Sequence, residues 1–245
     1  MQKLSNFQAK KLNQIQKTHV SSFANKVTCS TGKTSTESYQ DANIGPILQL
    51  LNALNPNAKC AILVGHPKGL NRHLRRMKKL GYRDRNVVVF EWCPILARKL
   101  KKYVAKHGLK CEVIQGDLIG GVFELSQKGY HFNYIEFDSV EAFGTQEPRL
   151  YSLVSKLNIP VLVTQGSGRG QAEWFKTRAK NLGAKRYENN GSKCYKLADS
   201  ANRIMAQALK GYDSHLITYG GRESVDCLGR NKAAPMYMAI SIKAT

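Results

Sequence analysis

AILVG (61–65), NVVVFE (86–91), CEVIQGD (111–117) and FNYIEFD (132–138) are four short apolar runs, each closed by a glycine or an acid, at nearly even spacing. A parallel sheet reads this way when its strands are buried on both faces and each presents one residue at its C-terminal edge. The intervening segments GLNRHLRRMKKLGY (69–82), PILARKLKKYVAKHG (94–108) and VFELSQKG (122–129) carry apolar residues at helical spacing. Strand–helix alternation of this kind predicts a doubly wound, mostly parallel α/β sheet with helices on both faces.

Further out, RLYSLVSKLN (149–158) reads as an amphipathic helix, IPVLVTQG (159–166) as a fifth strand and GQAEWFKTRAKNLGA (170–184) as a helix. KRYENNGSKCYKL (185–197) has the Asn-Gly centre of a hairpin. DSANRIMAQALKGY (199–212) is expected to be a helix capped by Asp199 or Ser200. The last two strands, SHLITYGG (214–221) and PMYMAISIK (235–243), are joined by loop-like sequence, which predicts an antiparallel pair at one sheet edge. The sheet domain is expected over 41–245, opening with the helix DANIGPILQLLNAL (41–54) that Asn55-Pro56-Asn57 stops.

Residues 1–40 form a basic, partly flexible extension by composition, ending in the Ser/Thr-rich stretch STGKTSTESYQ (30–40). Its GKT is not a phosphate loop. Val27 stands where the first glycine belongs, and no apolar strand precedes it. A loop folding over ligand is expected there, with Lys33 among the nucleic-acid contacts.

The chain has 38 Lys and Arg against 17 Asp and Glu, a formal charge of +21. Such an excess recruits polyanions, and nucleic acid, RNA or DNA, is the expected partner. No apolar run approaches membrane-spanning length, so no membrane partner is expected. The six cysteines are scattered, without a CxxC pair or a Cys/His cluster at zinc spacing, so no metal is expected. Cys60, Cys93 and Cys111 sit in or beside strands as small core residues, and the basic N-terminus lacks an apolar leader. A reducing, cytoplasmic setting follows, and the compact basic style would suit a viral protein.

The chemistry is expected at the C-terminal strand edge. Gly65 and Gly69 let a backbone turn approach a ligand with no Cβ in the way. Glu91 ends its strand 26 residues after Gly65, where a carboxylate can accept both hydroxyls of a ribose. Asp117 is placed for an exocyclic amine, or simply as the cap of the next helix, and Asp138 ends the fourth strand. Here the chain resembles the class I S-adenosylmethionine-dependent methyltransferases over roughly residues 45–245: VGHPKG for their first motif, FEW for the acidic strand end, QGD for the third and EFDSVEAFG for the fourth. His66-Pro67-Lys68 stands where that family usually has more glycine.

The resemblance implies a seven-stranded Rossmann-like sheet and S-adenosyl-L-methionine as cofactor. It implies Gly65 and Gly69 around the methionine part, Glu91 at the ribose and Asp117 at the adenine, with His66, Trp92, Leu118 and Asp138 as further cofactor contacts. Asp138 would lie between cofactor and acceptor. Asp138 followed by Phe143-Gly144 is loosely similar to tRNA guanine dimethyltransferases, which makes Asp138 and Phe143 the catalytic candidates. For nucleic acid the candidates are Arg72, Arg75, Arg76, Lys78 and Lys79 on the first basic helix. Arg169 and Trp174 after strand five join them, with Trp174 able either to stack on a base or to pack in the core. The alternatives are a binding protein that kept this scaffold without the chemistry, and a nicotinamide-type oxidoreductase, against which His66-Pro67-Lys68 argues.

Overall fold

A computed structural model describes residues 33–142, 145–167, 173–183, 186–189, 192–195, 204–205, 207–219 and 236–243. The elements are α1 (Lys33–Leu54), β1 (Lys59–Leu63), α2 (Pro67–Lys79), β2 (Val87–Glu91), α3 (Pro94–Lys106), β3 (Glu112–Gln115), α4 (Leu118–Gln127), β4 (Phe132–Ala142), α5 (Glu147–Leu157), β5 (Val161–Ser167), α6 (Glu173–Asn181), β6 (Arg186–Asn189), β7 (Ser192–Tyr195), β8 (Tyr212–Tyr219) and β9 (Met236–Lys243). Seven strands form one sheet in the order β3-β2-β1-β4-β5-β9-β8, and β6 with β7 makes a separate antiparallel pair. Neighbours from β3 to β5 are parallel, while β9 runs antiparallel to both β5 and β8. This is the expected doubly wound sheet with an antiparallel pair of strands at one edge. Asn190 and Gly191, where the hairpin turn is expected, lie outside the described residues, as do 199–203 and 206 of the helix expected over 199–212. The described part of that stretch is helical at 204–205 and 207–208, and β8 already begins at Tyr212.

Strand alternation sorts the core into two layers. Cys60, Ile62, Val87, Val89, Tyr134, Val161 and Val163 face α1, α2 and α3, which contribute Ile44, Leu48, Leu70, Leu74, Met77 and Leu100. Ala61, Val88, Phe90, Ile135, Phe137 and Leu162 face the other way, onto Val122, Leu150, Val154 and Phe175 of α4, α5 and α6. Right-handed crossovers running β1–α2–β2–α3–β3 in one direction place α2 and α3 side by side on one face. Burial pushes the Cys60 thiol up and raises Cys111 to about 11, which suits core residues rather than reactive thiols.

Three expectations need correction. The helix begins at Lys33, so the stretch 33–40, expected as loop, is helical and crosses the expected boundary at 40/41. Buried Ile44, Ile47 and Leu48 fasten this helix to the sheet and carry it past Pro46. Second, β3 is the edge strand and has no fully buried residue, because it has a neighbour on one side only. Third, β4 does not stop at Asp138. It continues to Ala142, with an irregularity in its pairing to β5 between those two residues.

Two adjacent glycines in α4 separate packing from propensity. A Cβ on Gly121 would collide with the ring of buried Phe90, whereas one on Gly120 would meet only Asp117 Oδ2 at 3.5 Å. Gly121→Ala is expected to lower stability by about 1–3 kcal/mol through overpacking. Gly120→Ala should gain about 0.5–1 kcal/mol from helix propensity. Urea unfolding midpoints of the two variants check this pair of opposite signs.

Candidate functional site

Strand order reverses between β1 and β4, the place where open α/β sheets leave a crevice at their C-terminal ends. Register pairs Leu63 with Phe90, Ile62 with Glu136 and Glu91 with Gln115, so the ends of β1, β2 and β3 and the Asp138 segment of β4 meet at one edge. By alternation Glu91 and Asp138 lie on the α2 side of the sheet, in line with Val89 and Tyr134.

Val88, Val89 and Phe90 are wholly buried, and Glu91 closes their strand at 6% exposure. One of its carboxylate oxygens accepts the Cys93 N–H at 2.8 Å, fixing the side chain. The other stands 3.3 Å from where a Cβ on Gly65 would sit. The bare backbone of Gly65 thus lets the turn after β1 lie close to this carboxylate without pressing on it. The turn leads into α2, where His66 is the N-cap and its Nδ1 accepts the Lys68 N–H at 3.1 Å. Pro67 starts the helix at a position that has no N–H to satisfy. At Gly69 the space is taken by Val64, whose methyl lies 3.2 Å from a hypothetical Cβ, so this glycine serves strand–helix packing.

The turn after β3 is tied to the same edge, since the Gly116 N–H donates to the Glu91 carbonyl at 3.1 Å. Asp117 caps α4 by accepting the Gly120 N–H at 2.9 Å, and Arg149 at the start of α5 approaches its Oδ2 at 3.5 Å. Capping was one of the two readings open for Asp117, and its exposed carboxylate leaves room for a ligand contact as well. Leu118 is buried in the core at 1%, so only its backbone can face a ligand. Trp92, at 77% exposure, stands out beside Glu91. Asp138 is half-buried, and Phe143 lies outside the described residues.

The expected nucleic-acid contacts divide. Arg72, Arg75, Lys78 and Lys79 are exposed on α2. Arg76 is not: it is buried at 7%, and its Nη1 donates to Glu136 Oε2 at 2.9 Å, so its assignment to nucleic acid is withdrawn. It occupies the flank of the helix turned toward β4, next to buried His73 and Met77. Trp174 is half-buried, edge-on to Tyr151 at 6.5 Å with Arg178 over its ring, and so packs in the core as one of its two readings had it. Lys33 lies in the first turn of α1, and Arg169 lies outside the described residues.

Sequence reasoning missed the buried network around Glu136. Tyr134 donates to Glu136 Oε2 at 2.6 Å and Gln165 to its Oε1 at 3.0 Å, while His73 Nδ1 approaches at 3.6 Å. Its only signal was an acid inside an apolar strand run, two residues before Asp138. Burial alone would raise the Glu136 pKa, but Arg76, with His73 and the Tyr134 hydroxyl, outweighs it and holds the carboxyl down at about 2. Among the described residues no group of three or more His, Cys, Asp and Glu gathers for a metal, and no helix is long and apolar enough to cross a membrane.

A carboxyl held lower in the folded than in the unfolded chain stabilises above its unfolded value, near 4.5, and loses that contribution as pH falls toward about 2. Unfolding free energy should therefore drop by roughly 3 kcal/mol between pH 6 and pH 2 from this group. Glu136→Gln should be less stable at pH 7, because it removes the charge that the buried Arg76 guanidinium faces at 2.9 Å, and should lack this portion of the acid dependence. Urea titrations of both proteins across that pH range measure it.

No family model matches the chain, and no curated protein matches it in sequence. Among solved structures it is similar to an O-methyltransferase from Bacillus cereus in complex with SAH, at 14% identity and a TM-score of 0.43, covering 99% of this chain and 94% of that one. It is also similar to an O-methyltransferase from Streptomyces achromogenes in complex with SAM, at 14% identity and 0.44, covering 100% and 93%. An rRNA methylase from Streptococcus thermophilus is similar at 10% identity and 0.43, covering 77% and 89%.

Proposed function

We propose that this chain is an S-adenosylmethionine-dependent methyltransferase acting on nucleic acid. The observation that carries the reading is the apposition of Gly65 and Glu91 beside the strand-order reversal. A carboxylate held in place by the Cys93 N–H, next to a turn where a Cβ on Gly65 would press on its other oxygen at 3.3 Å, suits the two hydroxyls of a ribose. The residues present fit the adenosine end of the cofactor, with Asp117 and the backbone of Leu118 on the adjoining strand end for the base. When bound, S-adenosylmethionine supplies an electrophilic methyl group.

What the chain adds is placement and charge. Glu91 accepts hydrogen bonds from the sugar and fixes the nucleoside along the edge. Asp138, half-buried and level with the end of β1, is proposed to orient the acceptor and take up its proton. Phe143 is proposed to flank the acceptor. The formal charge of +21 favours a polyanionic acceptor over a small neutral one. A second reading, a nucleic-acid-binding protein without transfer, is favoured by His66-Pro67-Lys68 at the turn.

Calorimetry with S-adenosylhomocysteine should show binding, weakened about tenfold or more by Glu91→Ala through loss of a charged hydrogen-bond acceptor. Asp138→Ala should nearly keep that affinity and abolish transfer of tritiated methyl to mixed RNA and DNA. No binding by a folded protein would overturn the cofactor reading. Binding without transfer by the unaltered protein would favour the second one.

A further inference from the structure

The exposed cations are not spread evenly. Helices α2 and α3 carry eleven Lys and Arg and no acid, and all but Arg76 are exposed. Helices α4, α5 and α6 on the opposite face carry five cations and three acids.

Spacing arranges the exposed charges into rows. Lys68, Arg72, Arg75 and Lys79 follow one another at four, three and four residues, so they share one side of α2, opposite Leu70, Leu74 and Met77. Lys99, Lys102 and Lys106 repeat the pattern on α3, with Arg98 and Lys101 beside them and Leu100 turned inward. The two helices touch each other, and neighbouring helices pack with axes about 8–10 Å apart. The result is two adjacent cation rows with about one charge per 5.4 Å turn, the longer some 16 Å in length. No acid lies on either helix, so a polyanion lying across the rows would relieve the mutual repulsion of these cations.

We propose that the outer face of α2 and α3 binds the phosphate backbone of a nucleic-acid duplex, along a surface that runs away from the cofactor edge beginning at Lys68. This rests on the nucleic-acid reading above and extends it to a place and a form of partner. Backbone recognition follows from the side chains. Helix α2 has no aromatic residue, and the single one on α3, Tyr103, is half-buried against His107 at 4.3 Å. No platform for stacking unpaired bases lies along the rows, so binding is electrostatic, indifferent to sequence and stronger for the denser charge of two strands. A lipid surface would require an apolar stripe beside the cations, and the exposed apolar residues here, Trp92 just before α3 with Pro94 and Ile95 in its first turn and Ala105 in its last, do not form one along the rows.

The test uses the full chain and fluorescence anisotropy with a labelled duplex of about 25 base pairs, as RNA and as DNA, and the matching single strands, over a series of salt concentrations. Two triple variants, R75Q/K78Q/K79Q and K99Q/K102Q/K106Q, should each lose about tenfold or more in duplex affinity at 0.1 M salt. Each should also reduce the slope of log affinity against log salt by about 2–3. A control triple on the opposite face, K128Q/K156Q/K180Q, should stay within about twofold, and circular dichroism should show all three variants folded. Equal losses in the control, unchanged affinity in the α2 and α3 variants, tighter binding of the single strands, or tighter binding to phosphatidylserine vesicles would each overturn the proposal. Comparable losses on RNA and DNA support a shared backbone site, and a loss on one alone assigns the site to that duplex. S-adenosylhomocysteine binding should be unchanged in the α2 and α3 variants. If the unaltered protein binds duplex through these helices but not S-adenosylhomocysteine, the cofactor reading falls and this one stands.

Discussion

A carboxylate lies in the middle of the central sheet, at 2% exposure, and the packing around it is arranged to keep it charged. Glu136 is met by Arg76 from α2, by Tyr134 from its own strand and by Gln165 from β5. A hydrophobic pair of similar volume would fill the same space at lower desolvation cost. What the ion pair adds is direction, because the guanidinium reaches the carboxylate at one position of α2 over β4. The turn containing Gly65 enters that helix at one end, and Asp138 lies two residues beyond Glu136. The clamp thus sets two sides of the ligand edge relative to each other.

The edge itself has a different character. Glu91 is held by a neighbouring backbone N–H and is covered by the glycine turn, while Asp117 is exposed and serves its helix as a cap. One carboxylate is therefore positioned before any ligand arrives, and the other is shared between structure and solvent. Such a division suits a ligand gripped firmly at one hydroxylated ring and more loosely at its base.

Much of this was legible in the chain. The four apolar runs gave the parallel core, and their terminal Gly65, Glu91, Asp117 and Asp138 were located at one sheet edge without a structure. Pattern reading failed where a polar group was satisfied by a distant partner. Arg76 sits in a run of cations that looks uniformly solvated, and only the fold brings it within reach of Glu136, sixty residues away. The Ser/Thr-rich segment from Lys33 looked like loop because local composition outweighs tertiary anchoring in a sequence reading. The length of β4 past Asp138 was hidden for a related reason: an irregular pairing with β5 carries the strand on after its apolar run has ended.

The margin of the sheet at β3 has a consequence of its own. An open strand is a template on which a second molecule can add, and long, flat, apolar margins seed aggregates. This one is four residues long and exposes Glu112 and Gln115, with Lys110 exposed just ahead of it. So short and polar a border offers few backbone groups to a newcomer and sets a charge beside them, which disfavours strand addition at this margin.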